Sequence, residues 1–259
     1  WSICSFTFAN TSLAGDRQNM ISNAFEFLDH PTRMGTAASA AILYYSNAIS
    51  KNTKTYYKGI DEDTALDPND QSTSTMEGSY LVSTVRTYFY KEDENGNRTY
   101  YNIDGSQIKA NDPSLSEAVE HQFVTSEDGT ILWKNDGTRV MIDTPVVQSS
   151  IGYNSGKTIP LSDVKIAVDN DYSVVTVAGL KIDEERNIVN DNSIKNAKRL
   201  LITAAGQCRN TEFTLSSDGT TIEDLGEGPI LVEQITGKVT IRNKNKYDIY
   251  VLNTSGQRV

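Results

Sequence analysis

Seven dipeptides ending in glycine punctuate this chain: Asn95-Gly96, Asp104-Gly105, Asp128-Gly129, Asp136-Gly137, Ser155-Gly156, Asp218-Gly219 and Ser255-Gly256. A short polar residue followed by glycine supplies the positive φ that tight hairpin turns demand. A chain cut so often has little room for long helices, and the runs between the cuts are rich in Val, Ile, Thr and Tyr. The pattern predicts strands over 54–60, 80–90, 98–103, 121–125, 130–134, 138–143, 158–168, 172–179, 198–206, 229–235, 237–242 and 247–252. Many short strands with tight turns predict a mainly β fold, with an antiparallel β-sandwich as the domain over 51–259. One short helix is expected at Pro113–His121 with Asp112 as its cap. Thr64–Gly78, with its Ser-Thr-Ser-Thr run, reads as a surface loop, and no repeat of fixed period stands out.

Residues 1–50 read differently. Ser2 to Ala9 is an apolar, strand-like run with no basic segment or signal-type apolar stretch ahead of it, the reading expected of a fragment. Asp29 or His30 can cap a helix that has Pro31 in its first turn. Met34, Ala38, Ala41, Tyr45 and Ala48 recur at three- and four-residue steps and predict one apolar helix face ending near Ser50. Ala37, Ala38, Ala40 and Ala41 allow a neighbour to approach closely. A strand followed by a helix is one β/α unit, which cannot bury both its faces alone and is expected to dock on other structure.

Charge and hydropathy exclude two classes of partner. The 259 residues carry 24 Lys and Arg against 34 Asp and Glu, a net charge of −10, which disfavours a protein that tracks nucleic-acid phosphates. No apolar run approaches the ~18 residues of a membrane span. The composition suits an extracellular protein as well as a cytoplasmic one.

Local motifs for catalysis are weak. Gly152-Tyr-Asn-Ser-Gly156-Lys157-Thr158 has three residues between its glycines where a phosphate loop needs four, and Pro160 blocks the helix that should follow. It also misses G-x-S-x-G, because Asn154 stands at the nucleophile's place. Both readings yield to a hairpin turn. Asp61-Glu62-Asp63, Glu92-Asp93-Glu94 and Asp169-Asn170-Asp171 could offer oxygens to calcium but lack EF-hand spacing, and read better as solvated turns. Cys4 and Cys208 are the only cysteines, and His30 and His121 lie in unrelated local contexts, so no metal site and no cofactor is expected. A Cys4–Cys208 disulfide stays open beside two buried thiols. With 13 Tyr, 7 Phe and 2 Trp, tyrosine dominates the aromatics. Tyr88, Tyr90, Tyr100 and Tyr101 flank one hairpin with Trp133 nearby in sequence, which fits either a sugar-stacking surface or cross-strand pairing within a sheet.

Several segments, taken in order, resemble the C-terminal part of large bacterial cellulase-like glycoside hydrolases of the (β/α)8-barrel clan, whose barrel is followed by a β-sandwich. Trp1–Asn10 resembles the eighth barrel strand. Phe25-Glu-Phe-Leu-Asp29-His-Pro31-Thr-Arg-Met34 and the Ala-rich helix are similar to F-x-x-x-x-D-P-x-K-M and the last barrel helix, with Asp29-His30 before Pro31 and Arg33 in place of Lys as departures. Ser126-Glu-Asp-Gly129-Thr-Ile-Leu-Trp133 resembles S-D-T-G-E-L-x-W, and Asp143-Thr144-Pro145-Val-Val-Gln148-Ser-Ser-Ile-Gly152 resembles D-T-P-x-x-Q-x-x-x-G. Ala197–Ala204, Asn210-Thr211, Gly228–Glu233 and Tyr250–Gly256 are similar to the closing strands.

The resemblance implies domains of 1–50, a final β/α unit, and 51–259, a C-terminal β-sandwich. It implies a secreted or cell-surface bacterial protein whose partners are a polysaccharide or oligosaccharide and an upstream catalytic barrel of the same protein. The two carboxylates of retaining hydrolysis would both lie upstream of Trp1, so no catalytic residue is assigned and the chain alone is expected not to hydrolyse glycans. Phe8 and Asn10, at the mouth of the strand, could border a substrate groove, and Tyr100, Tyr101 and Trp133 are the other candidate substrate contacts. A carbohydrate-binding module and an extracellular structural or surface-assembly protein are the alternatives.

Overall fold

The computed structural model describes residues 30–62, 64, 67, 79–102, 104–108, 123–134, 136–180, 193–243, 245–253 and 256–259. The strand at Ser2–Ala9, the helix at Pro113–His121 and most of the Thr64–Gly78 loop lie outside them. Along the chain follow α1 (Pro31–Tyr45), β1 (Thr55–Asp61), the single turn α2 (Ser79–Val82), β2 (Thr84–Glu92), β3 (Arg98–Tyr101), β4 (Gln107–Ile108), β5 (Phe123–Thr125), β6 (Ile131–Lys134) and β7 (Arg139–Asp143). Then come β8 (Val147–Tyr153), β9 (Lys157–Pro160), β10 (Val164–Val168), β11 (Tyr172–Gly179), β12 (Leu200–Ala205), β13 (Cys208–Thr211), β14 (Thr214–Leu215), β15 (Ile222–Asp224), β16 (Glu227–Val232) and β17 (Gly237–Ile241). The fold is mainly β with several antiparallel sheets. The chain divides into two compact units, one of residues 1–48 and 142–259 and one of residues 49–141.

In the first unit α1 starts where Pro31 presets its φ, and ends as Ser46 N–H donates to Ile42 O at 3.0 Å and Asn47 turns left-handed at φ 50°. The helix lies on an antiparallel sheet in which β11 pairs with both β8 and β12. Its buried face differs from the expected one. Ser39 and Ile42 are buried, whereas Ala38 is exposed and Tyr45 is 65% exposed. Ile42 packs with Val146, Val147 and Ala178, flanked by Leu43, Ala48, Leu180 and Leu201. Ser39 can join this face because its hydroxyl meets Thr203 Oγ1 at 3.0 Å, which satisfies a polar group that would otherwise be costly to bury. Hydropathy alone ranks a serine below a tyrosine for burial, so the face was misplaced by about a third of a turn.

β8 is the strand that its composition conceals. Gln148, Ser149 and Ser150 are all buried, and each has a partner. Gln148 Oε1 accepts from Asp163 N–H at 3.0 Å, Ser149 Oγ donates to Val175 O at 3.0 Å and Ser150 Oγ donates to Asn154 Oδ1 at 2.7 Å. Thr144 closes the entry to β8 by donating its hydroxyl to Val147 O and accepting from Val147 N–H, both at 2.9 Å. Asp143 accepts from Ser162 N–H at 3.1 Å and from its hydroxyl at 3.0 Å. These bonds fix the turn at 161–163 that splits the expected strand 158–168 into β9 and β10. Along β10 the alternate residues Val164, Ile166 and Val168 are buried, and the strand pairs antiparallel with β17. The expected strand 80–90 starts only at Thr84, because Ser79–Val82 makes a helical turn. Within 247–252 only Leu252 bridges, to Arg258, among the described residues.

In the second unit β1 and β2 are parallel, and β3 and β4 extend the sheet antiparallel. Asn52 Nδ2 donates to Leu81 O and Ser83 O at 3.2 and 3.1 Å, tying the approach to β1 to the approach to β2. Ser50 N–H donates to Asp128 Oδ2 at 2.8 Å and Thr53 N–H to Glu127 Oε2 at 2.6 Å, which tethers the same segment to the β5–β6 hairpin.

The seven turn glycines all have positive φ, between 67° and 81°, as the dipeptides predict. Four turns go further. Asp104, Asp128, Asp136 and Asp218 each accept the backbone N–H of the residue two positions on, at 2.9, 3.0, 3.0 and 3.1 Å, together with its hydroxyl. Two of them share a longer word, Ser-x-Asp-Gly-Thr, at Ser126–Thr130 and Ser216–Thr220. In both, the serine hydroxyl donates to the aspartate, at 2.7 and 2.6 Å, and accepts the N–H five residues on, at 2.9 and 3.0 Å.

These carboxylates are held below their ordinary pKa range. For Asp104 the cause is the Ser106 hydroxyl and then its N–H, for Asp136 Lys134 and Thr138, and for Asp218 Ser216 and Thr220. At Asp128 burial pushes upward, but hydrogen bonds from Thr130, Ser126 and Ser50 outweigh it. A depressed folded value means that the contribution is complete above the unfolded carboxylate pKa, about 3.9, and is lost as the pH falls through the folded values. Amide exchange at Thr130 and Thr220 should therefore stay flat from pH 7 to about 4, once the intrinsic pH dependence is removed, and rise below that. Asp218→Asn should abolish the acid limb at Thr220 alone.

Candidate functional site

Two clusters of side chains stand out, one in each unit. In the second unit, successive residues of a strand point to opposite faces and directly opposite residues share one. Tyr90 stands opposite Tyr100, and Ile108 is the next partner of Tyr100 across the sheet. The Tyr90 and Tyr100 rings are 5.7 Å apart and tilted by 56°. The Arg98 guanidinium lies 4.5 Å from the Tyr90 ring centroid, and its Nε donates to Glu92 Oε2 at 3.0 Å. The hydrogen bond to Glu92 raises the Arg98 pKa above its ordinary value. The face thus carries two tilted aromatic rings beside a guanidinium–carboxylate pair.

The sequence-derived candidates distribute unevenly over this geometry. Tyr101 stands opposite Phe89 and Gln107, on the other face from Tyr100. Tyr100 and Tyr101 therefore do not form one platform. Trp133 sits in β6, where it pairs with Val124 in a different strand pairing, and is half-buried. Phe8 and Asn10 lie outside the described residues. Tyr90 joins Tyr100 because the β2–β3 register sets it there.

In the first unit, the N-terminus of α1 meets the start of β13 around a cavity of about 350 Å³ lined by His30, Thr32, Arg33, Tyr172, Cys208 and Arg209, among others. Cys208 is a half-buried free thiol. Its Sγ lies 3.3 Å from His30 Nδ1, 3.6 Å from His30 Nε2 and 3.4 Å from Thr32 Oγ1, while Thr32 Oγ1 lies 2.9 Å from His30 Nδ1. No side chain caps α1 at His30 and its first turn carries no acid, so the positive end of the helix dipole is uncompensated by either. Arg209 Nη2 donates to Gln207 Oε1 at 2.9 Å, with its guanidinium over the Phe213 ring. Cys208 and His30 are 178 residues apart, and no local pattern could announce their meeting.

Among the described residues no group of three His, Cys, Asp or Glu could hold a metal ion. No described helix is long and apolar enough to cross a membrane. No protein-family model, curated protein or solved structure matches this chain.

Proposed function

We propose that this chain is the non-catalytic C-terminal part of a secreted or cell-surface polysaccharide-degrading glycoside hydrolase, a β-sandwich region that supports an upstream barrel. The observation that carries the reading is the use made of the segment resembling D-T-P-x-x-Q. Asp143, Thr144 and Gln148 pin an antiparallel unit through hydrogen bonds, Thr144 and Gln148 from buried positions, which is the work expected of a scaffold. Residues doing this work are held by packing, which explains why such a pattern would accompany a supporting domain. The packing of α1 on β8 and β11 through Ile42 is compatible with the same view, since a last barrel helix would need a fixed seat on the domain that follows it.

The second reading, a carbohydrate-binding module, draws on the face of Tyr90, Tyr100, Arg98 and Glu92. A pyranose presents an apolar face to an aromatic ring and hydroxyls to charged groups at its edge. The two readings share a substrate class and differ in what the isolated chain does. Affinity electrophoresis through β-glucans separates them. If the face binds glycan, Tyr90→Ala and Tyr100→Ala should each weaken retardation about tenfold, while Tyr101→Ala, on the other face, should not. A chain that migrates freely in every polysaccharide supports only the scaffold. Release of reducing sugar by the purified chain would overturn both.

A further inference from the structure

We propose that the hairpin over 249–259 associates with the same hairpin of a second copy of this chain, edge to edge across a two-fold axis at Val251. Val259 N–H donates to Val251 O at 3.0 Å and Asn253 N–H to Gln257 O at 2.9 Å, with Leu252 bridging Arg258 between them. The turn closes as Gly256 N–H donates to Asn253 O and Gln257 N–H to Asn253 Oδ1, both at 2.9 Å. Tyr247 fastens the entry, its hydroxyl donating to Ala197 O at 2.7 Å. The hairpin is thus held at its base and at its turn, while its outer edge is open.

Backbone groups alternate in direction along an antiparallel pair. Val251 and Asn253 turn inward to Val259 and Gln257, so the N–H and C=O of Tyr250 and Leu252 point outward, and they bond to no described residue. The side chains are as open as the edge. Ile249 is 91% exposed, Val251 70% and Val259 87%, all on one face of the hairpin. A contiguous apolar face of this kind marks an interaction site. Proteins ordinarily blunt such an edge with a lysine, a proline or a bulge, and neither residue occurs between Ile249 and Asn253.

The edge is its own complement, which selects the occupant. With Val251 opposite Val251 of the second copy, Tyr250 of each chain faces Leu252 of the other, and the outward groups close four N–H···O=C bonds. Directly opposite residues share a face, so Ile249, Val251 and Val259 of one copy continue those of the other. Like charges stay apart in this register. Asp248 falls three residues from the axis on either side, which sets the two carboxylates about 20 Å apart. The Arg258 guanidinium is occupied on the neighbouring strand, 3.7 Å from the Tyr250 ring centroid. A charged partner would find no charge to pair along 249–253, whereas a two-fold contact between copies uses every open group and closes on itself.

The test uses the full chain. Sedimentation equilibrium should show monomer and dimer in exchange, the dimer growing in between about 10 μM and 1 mM. Val251→Lys, which sets two ammonium groups together at the axis, should weaken the dimer about tenfold or more. Leu252→Pro removes an outward donor and keeps the 251–259 and 253–257 bonds, and should weaken it as much. Cross-linking reads the register, in a chain also carrying Cys4→Ser and Cys208→Ser. At the axis the two Cα atoms stand about 4.5 Å apart, so Val251→Cys should form an interchain disulfide on mild oxidation. Ile249→Cys, about 14 Å from its twin, should not. Thermal unfolding midpoints near the parent's show that the variants are folded. The proposal is overturned by a chain still monomeric at about 1 mM, whether or not an unrelated extended peptide adds to the edge. It is equally overturned by a dimer that survives both Val251→Lys and Leu252→Pro, or by cross-linking at 249 as readily as at 251. Should Leu252→Pro lose its fold, the lysine and cysteine variants decide.

Discussion

Gly226→Ala should destabilise the first unit by about 3 kcal/mol or more, because two independent costs fall on one methyl group. Gly226 has φ +70°, where an L side chain is strained by about 1–2 kcal/mol. Its Cβ would also stand 2.1 Å from Thr211 O and 2.7 Å from Phe213 N, both backbone atoms that cannot swing aside. The surrounding turn is pinned, with Gly226 N–H donating to Asp224 Oδ1 at 2.8 Å and Asn210 Nδ2 to Leu225 O at 2.9 Å. Gly219→Ala is the natural control, since Gly219 has φ +73° and open space around it. It should pay the backbone strain alone. Urea unfolding midpoints of the two variants measure the difference, and equal losses would mean that the close approach at Thr211 is absent.

The second large effect concerns the seat of α1. Ile42 is 2% exposed, so Ile42→Ala should cost about 2–5 kcal/mol through lost burial and the cavity left against Val147 and Ala178. Tyr45, 65% exposed, should tolerate alanine within about 0.5 kcal/mol. Ser39→Val would probe the same face by stranding Thr203 Oγ1. A helix seated on the face predicted from hydropathy would reverse the order, with Tyr45→Ala the costlier change. Thermal unfolding followed at both near- and far-ultraviolet wavelengths reads it.

What could be read from the residues depended on how far apart the interacting groups stand. The turns were legible because Asp218, Gly219 and Thr220 contain their own geometry, and an aspartate beside a glycine behaves alike wherever it occurs. The helix from Pro31 was legible for the same reason, although its end was placed several residues late. β8 was not, because Gln148 finds Asp163 and Ser149 finds Thr176, partners 15 and 27 residues away that make a polar run burial-tolerant. The Tyr-rich hairpin was legible as a hairpin. Which of its rings share a face was not, until the pairing of Tyr90 with Tyr100 fixed the register. The meeting of His30 with Cys208 had no local signal at all.

The two Ser-x-Asp-Gly-Thr hairpins bear on the order in which the chain can assemble. Each closes its hydrogen bonds within six residues, so the entropy lost in bringing its ends together is small and can be recovered at once. The parallel pairing of β1 with β2 sets Thr55 beside Thr84, and it must wait until the whole intervening stretch has crossed over. The β11–β12 pairing similarly spans the connection from Gly179 to Leu200. Local structure at 126–131 and 216–221 can therefore close in each unit without waiting for a core. Slow steps belong to the long crossings, and the short polar turns, worth little individually to the finished fold, set the registers from which the strands extend.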